Sequence, residues 1–209
     1  MKKPLSRRRR LSPSLACLLA GCWLLSACGG GPPPRLYLLE PLQGEESLEE
    51  GSGGPSLEAL GMITVSLPGY ASTSQISSIN ADGTVSQDSN HRWAEEPASA
   101  ISRLLADRLR ERADATVLIE PWPRDYRPKA RVEVEFDRLL REPRGGADMA
   151  GQILLLSGDG RTVLRSVPFE FVLYGRDTAQ RVFFVAVAKG IDDIAALAVE
   201  ALREMRLQS

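Results

Sequence analysis

Arg131-Val132-Glu133-Val134-Glu135-Phe136-Asp137 is the stretch that decides the fold. Apolar and charged side chains alternate through all seven positions. Successive side chains of a strand point to opposite faces, so this period of two predicts one buried and one charged face. Downstream, Arg144-Gly145-Gly146 breaks the pattern, and Gly151–Leu156 and Thr162–Tyr174 predict two more strands. Ser157-Gly158-Asp159-Gly160 joins them as a hairpin, and Phe169, Phe171 and Leu173 fall on one face. Upstream, Pro97–Arg112 predicts a helix. Proline suits a first helical position, Glu95 and Glu96 lie at the positive end of its dipole, and Ile101, Leu104, Leu105 and Leu109 share a face. Before it, Arg35–Leu39, Leu60–Leu67, Gln75–Ile79 and Thr84–Gln87 read as strands. Asn80-Ala81-Asp82-Gly83 turns the last two into a hairpin. Thr116–Ile119 is a further strand, ending at Pro121-Trp122-Pro123. The last element carries two signals. Arg181–Val187 is β-branched and aromatic, which favours strand. Helical spacing nonetheless runs from Phe184 through Val187, Ile191, Ile194, Ala198 and Leu202 to Met205, which predicts one amphipathic helix over Thr178–Arg206 despite Gly190. The expected class is α+β, a mainly antiparallel sheet with two principal helices packed on one face.

The chain has 209 residues, 43% hydrophobic and 25% charged, with a net charge of −1. That is a globular composition. Its first 27 residues read separately, as a lipoprotein signal peptide. Lys2, Lys3 and Arg7–Arg10 precede the apolar run Leu15–Leu25, and Leu25-Ser26-Ala27-Cys28 closes the segment. A basic start, a short apolar centre and small residues at the end make a secretory signal; a membrane span needs about 20 apolar residues. Leu-Ser-Ala-Cys resembles a bacterial lipobox, whose cysteine receives diacylglycerol on sulphur and, after cleavage, an acyl chain on its new amine. Gly29 rather than aspartate follows, which under the enterobacterial sorting rule implies the outer membrane. One acyl chain binds only marginally, and each buried methylene adds about 0.8 kcal/mol, so three chains make a permanent anchor. Removing residues 1–27 takes six bases and no acid, leaving 20 basic against 27 acidic side chains, a net charge of −7. Such an acidic chain is a poor partner for nucleic acid. Cys17 and Cys22 leave with the signal, so no thiol remains for a disulfide. Residues 28–34 read as a lipidated cysteine and a Gly/Pro tether, residues 35–209 as one periplasmic domain. Within it, residues 43–56 hold four glutamates, four glycines and one apolar residue, Leu48, and read as a mobile loop.

The sequence is quiet in chemistry. His91 is the only histidine, so Ser-His-Asp hydrolysis would have to use it as base; otherwise it is a surface or interface histidine beside Trp93. Residues 78–89 carry Asn80, Asp82 and Gly83 but have serine where a calcium loop needs its first and twelfth acids. There is no Gly-x-x-x-x-Gly-Lys loop, no Gly-x-Ser-x-Gly elbow and no cluster of metal ligands. No metal or other cofactor is expected. Three apolar features read as turns: Leu67-Pro68-Gly69-Tyr70, His91-Arg92-Trp93-Ala94-Glu95 and Glu120-Pro121-Trp122-Pro123. Aromatics on rigid turns are either lids on a core or anchors for a partner.

The lipobox, an early Tyr-Leu-Leu strand, Leu-Pro-Gly-Tyr followed by Gln75-Ile76, and Arg92-Trp93-Ala94-Glu95 before a helix together resemble the ABC-type transport auxiliary lipoproteins of the PqiC/YmbA type. The resemblance covers about Leu36 to Met205. The Gln43–Ser56 insert and the aromatic start of the last helix depart from it. It implies an α/β fold similar to the amino-terminal domain of TolB. It also implies a non-enzymatic outer-membrane lipoprotein facing the periplasm, working with MCE-domain proteins and inner-membrane transporter components that move lipid between the membranes. Self-association into rings is consistent with such a class. On this reading Tyr70, Arg92, Trp93 and Trp122 are the contact candidates and Cys28 is the lipidation site. Two other classes stay open, a periplasmic lipid- or small-molecule-binding lipoprotein and an envelope hydrolase using His91.

Overall fold

Alternation at Val132, Val134 and Phe136 builds the spine of the sheet. The computed structural model describes residues 32–42, 57–175 and 178–207. Cys28, the loop expected at 43–56 and the start of the tether lie outside the described residues. The strands are β1 (Arg35–Tyr37), β2 (Glu58–Met62), β3 (Gln75–Ile79), β4 (Val85–Trp93), β5 (Ala115–Ile119), β6 (Ala130–Arg141), β7 (Gly146–Ser157) and β8 (Val163–Tyr174). Among the described residues two long helices accompany them, α1 (Pro97–Ala113) and α2 (Gln180–Leu207).

On one side β6 pairs along its length with antiparallel β7, and β7 with antiparallel β8. On its other side the sheet forks. The start of β6 takes parallel β2, with Met62 opposite Val132, and β2 in turn takes parallel β5. The end of β6 takes parallel β3, with Ser78 opposite Arg141. From there antiparallel β4 and then parallel β1 extend the second arm. The sheet is mixed, its longest ladders antiparallel, and the fold is α+β.

Both helices cover one face. Buried Val132, Val134, Ile153 and Leu155 meet Leu104, Leu105 and Leu109 of α1 and Val187, Ile191 and Ile194 of α2 in a single core. Phe169, Phe171 and Leu173 of β8 share that side, and Phe136 meets Phe169 edge-on at 5.3 Å. Gly190 lets α2 sit close to the sheet, since a Cβ there would fall 2.6 Å from Met149 Sδ. The ambiguous 181–187 stretch is helical because Phe183, Phe184 and Val187 are all buried at helical spacing. Between the helices, Asp192 is 4% exposed. Arg112 donates to both of its oxygens, Nε at 3.0 Å and Nη2 at 2.7 Å, and Arg108 lies at 3.8 Å.

Several boundaries differ from the sequence reading, among them β1, which stops at Tyr37 instead of Leu39. The 60–67 strand ends at Met62, after which only Ser66 makes a bridge, to Glu135. β4 runs to Trp93 instead of stopping at Gln87. β7 starts at Gly146, because residues 146–150 are held between β6 and β8 on both sides.

Candidate functional site

The Leu67–Tyr70 turn is rigid. The N–H groups of Ala71 and Ser72 donate to the Pro68 carbonyl at 2.8 and 3.1 Å, and Ser72 Oγ donates to the same carbonyl at 3.0 Å. Half-buried Tyr70 is held on it. Its carbonyl accepts from Ser77 Oγ at 2.7 Å and Gln87 Nε2 at 3.1 Å, while its hydroxyl reaches the Asp137 carbonyl at 3.4 Å. Gln75 is the register partner of Arg92, so this turn and Arg92 lie at one end of the β3–β4 pair. Arg92 is half-buried, with Nε donating to the Ser89 carbonyl at 3.1 Å.

Trp93 must be corrected. Residues 91–93 are the last rungs of β4, paired with Arg35, Leu36 and Tyr37 of β1, and do not form a turn. Alternation along a strand turns Trp93 to the opposite face from Arg92. It is 4% exposed, edge-on to Phe183 and Phe184 at 6.0 and 4.8 Å. Its ring belongs to the core and offers a partner no surface.

Trp122 stands apart from the other three, on the face of β2 and β6 turned away from the helices. A Cβ at Gly61 would come 3.0 Å from its ring, so the indole is seated on bare backbone. Arg131 caps it at 5.2 Å from the ring centroid, a cation–π arrangement. Next along β6, burial pushes the Glu133 carboxyl above the usual range, and Glu135 and Glu120 add repulsion. Gln152 Nε2 donates to Glu135 at 2.7 Å, and Ser166 Oγ donates to Gln152 at 3.0 Å. This face is polar, as the alternation predicted.

His91 is tied into a joint. Its Nδ1 lies 2.7 Å from Asp88 Oδ2, which also accepts from Gln180 Nε2 of α2 at 3.1 Å. Burial works to raise the Asp88 pKa, but the Asn90 N–H and the His91 ring outweigh it and hold the carboxyl below its ordinary range. Concave surfaces flank the described residues, three of them as follows. An apolar groove of about 390 Å³ is lined by Leu57, Leu60, Leu164, Leu202 and Met205. A polar one of about 490 Å³ lies between the β3–β4 hairpin, Arg141 and Gln180. A smaller one, of about 150 Å³, lies beside Leu38 and Val185. Among the described residues there is no group of three side chains able to hold a metal ion, and no helix long and apolar enough to cross a membrane. Sequence reasoning missed the Arg108–Arg112–Asp192 cluster; the helical phase of Asp192 on the buried side of α2 was the available signal.

Residues 37–199 match the family described as ABC-type transport auxiliary lipoprotein component. No curated protein sequence matches the chain. Among the solved structures that this chain resembles are two that cover most of it. A protein described as uncharacterized has a TM-score of 0.66 at 16% identity, over 82% of this chain and 99% of its own. A Xanthomonas campestris protein, XCC0632, of the family DUF330, has a TM-score of 0.64 at 11% identity, over 84% of this chain and 100% of its own. At such identities the likeness is one of fold.

Proposed function

The chain belongs to the family of ABC-type transport auxiliary lipoprotein components, and we propose that within it this protein is the outer-membrane adaptor of a lipid transport system. In this reading residues 1–27 are removed and Cys28 carries the N-acyl and S-diacylglycerol anchor. The folded residues face the periplasm and dock an MCE-domain protein served by inner-membrane transporter components, which supports envelope integrity. The work is binding and positioning, without catalysis. The observation that carries the reading is the order of the chain: Leu25-Ser26-Ala27-Cys28 is followed seven residues later by β1, and the match to the family begins at residue 37. A lipid anchor so close to a folded unit suits a fixed docking post. Tyr70, held on a rigid turn with Arg92 at the same end of the hairpin, and Trp122, seated on the far face, are the contact surfaces assigned to the partner.

Two measurements test this in the native host. Labelling with a palmitate analogue followed by density fractionation should place the label on the wild-type chain in the outer membrane, and Cys28→Ala should lose it. A photo-crosslinking residue at position 70 should capture an MCE-domain protein. An unlabelled wild-type chain, or label at inner-membrane density, overturns the assignment.

A second reading has one observation in its favour. The 390 Å³ groove is lined mainly by leucine and methionine and falls within the size range of small-ligand sites, as a periplasmic lipid- or small-molecule-binding lipoprotein requires. Native mass spectrometry decides it: a co-purifying lipid supports the binder, and a bare chain removes it.

A further inference from the structure

Among the described residues β1 is an edge strand with a single neighbour, β4. Its inward side chains are accounted for. Tyr37 stacks on Phe184 with ring centroids 5.3 Å apart, and Leu39 is buried. The residues that alternate with them face out: Leu36 is 62% exposed and Leu38 59%. Edge strands are normally blunted with charge, and here large apolar side chains stand in that position. The patch continues onto α2. Leu38 lines the 150 Å³ groove together with Pro41, Leu42 and Val185, and Val185 is itself 39% exposed.

Positive charge rims the patch. Arg181, Val185 and Lys189 recur every four residues along α2, which puts them in one stripe. Arg35 starts the exposed strand. The acids nearby are Glu40 in the groove, Asp88, bonded to the His91 that pairs with Arg35, Glu95, paired with the Arg103 that reaches the Leu39 carbonyl, and Asp193, 3.8 Å from Lys189. A basic rim around apolar side chains, on a chain whose mature charge is −7, complements an anionic lipid surface. Chain length points the same way. Pro32, the first described residue, comes four residues after Cys28; an extended chain spans at most about 3.6 Å per residue, or about 14 Å for that stretch. Leu36, eight residues on, lies within about 29 Å of the anchor by the same bound. Of all the folded surface, this edge has the shortest leash to the bilayer.

We propose that the β1–α2 edge rests on the lipid leaflet that holds the anchor. Leu36, Leu38 and Val185 enter the interface, and Arg35, Arg181 and Lys189 meet lipid phosphates. The domain then has one orientation on the membrane, and the β7–β8 side, at the other end of the sheet, is turned toward the periplasm. The inference rests on the reading of Cys28 as the anchor.

The test uses the full-length lipidated protein, purified from membranes and reconstituted in vesicles of phosphatidylethanolamine and phosphatidylglycerol. With the Cys28 sulphur alkylated, Leu38→Cys, Leu36→Cys or Val172→Cys each gives a single reactive thiol for an environment-sensitive fluorophore. Val172, exposed on β8, is the control. Nitroxide-labelled lipid should quench probes at 36 and 38 several-fold more than the probe at 172. Replacing phosphatidylglycerol by phosphatidylcholine should reduce that quenching at least twofold. Equal quenching at 38 and 172, in protein that floats with the vesicles, overturns the proposal while leaving the anchor intact. Protection of position 38 that grows with protein concentration in detergent assigns the edge to a second copy and also overturns it. Wild-type protein that fails to float overturns the anchor reading and this inference with it.

Discussion

At the end of β4 the Trp93 indole fills the space between β1, β4 and the first turns of α2, with Phe183 and Phe184 against its edges. Its neighbour Arg92 points the other way, so a single step along the strand separates a core group from a surface group. Replacing a buried tryptophan by alanine removes its transfer free energy and leaves a cavity, typically about 3–5 kcal/mol. Against a typical stability of about 5–15 kcal/mol, that is a large fraction of the fold. Urea unfolding followed by circular dichroism should show Trp93→Ala destabilised by that amount; a loss below about 1 kcal/mol would return the ring to the surface. Nothing in the local sequence marked it as buried. Residues 85–90 are mostly exposed polar side chains on both faces, so they carry no alternation. The stretch Gln-Asp-Ser-Asn has turn composition and makes an irregularity within the strand: Asp88 Oδ1 accepts from the Asn90 N–H at 2.8 Å, and the register with β3 jumps from Ile76–Asp88 to Gln75–Arg92. The Leu67–Tyr70 turn was legible because Pro-Gly specifies it within four residues.

Helix ends and helix contacts differ in the same way. The start of α1 is written locally: Glu96 caps it, accepting from the Ala98 N–H at 3.1 Å and the Ser99 N–H at 2.6 Å, with Pro97 as the first helical residue. Burial works to raise the Glu96 pKa, but the hydrogen bonds from Ser99 and Ala98 outweigh it and hold the carboxyl below its ordinary 4.5. A lowered pKa means the unfolded chain binds the proton more tightly. The cap is therefore fully stabilising above about pH 4.5 and fades as the pH falls through the folded value. Glu96→Ala should cost about 1 kcal/mol at pH 7, and the difference from wild type should shrink below pH 4 in urea titrations. A difference independent of pH would mean the charge is not what caps the helix. The contact of α1 with α2 is non-local, joining residues 80 apart in the chain, and no motif announces it. Asp192 holds two arginines there in a nearly dry seam. Asp192→Ala leaves the Arg112 guanidinium without its acceptor, while Arg108 keeps Glu111 at 2.6 Å; breaking a buried pair in this way costs about 3–5 kcal/mol. Asp192→Leu should not rescue it, since the uncompensated Arg112 charge remains; rescue would show that packing rather than charge joins the helices. The strand partners were hidden for the same reason as this seam. Alternation says which face of β6 is buried, but not that its free edge is divided between β2 and β3.

The fork makes a claim about the whole molecule. One arm, β2 with β5, and the other, β3 with β4 and β1, touch β6 at opposite ends. Each arm depends on β6 and on the helices, since Leu60 and Met62 of one and Ile76 and Trp93 of the other belong to the same buried core. A domain organised this way unfolds as one cooperative unit, although its arms share little direct pairing. On the processing proposed above, which removes Trp23 of the chain's three tryptophans, one reporter is left in each arm, Trp122 on the β2 arm and Trp93 on the β4 arm. Conservative single-tryptophan variants, Trp93→Phe and Trp122→Phe, let each arm be followed alone by fluorescence during guanidinium unfolding. Each fluorescence midpoint should coincide with the circular dichroism midpoint of the same variant. Separate midpoints would make the arms independent folding units. The face carrying Tyr70 and the face carrying Trp122 could then move apart, and a rigid docking post would no longer describe the protein.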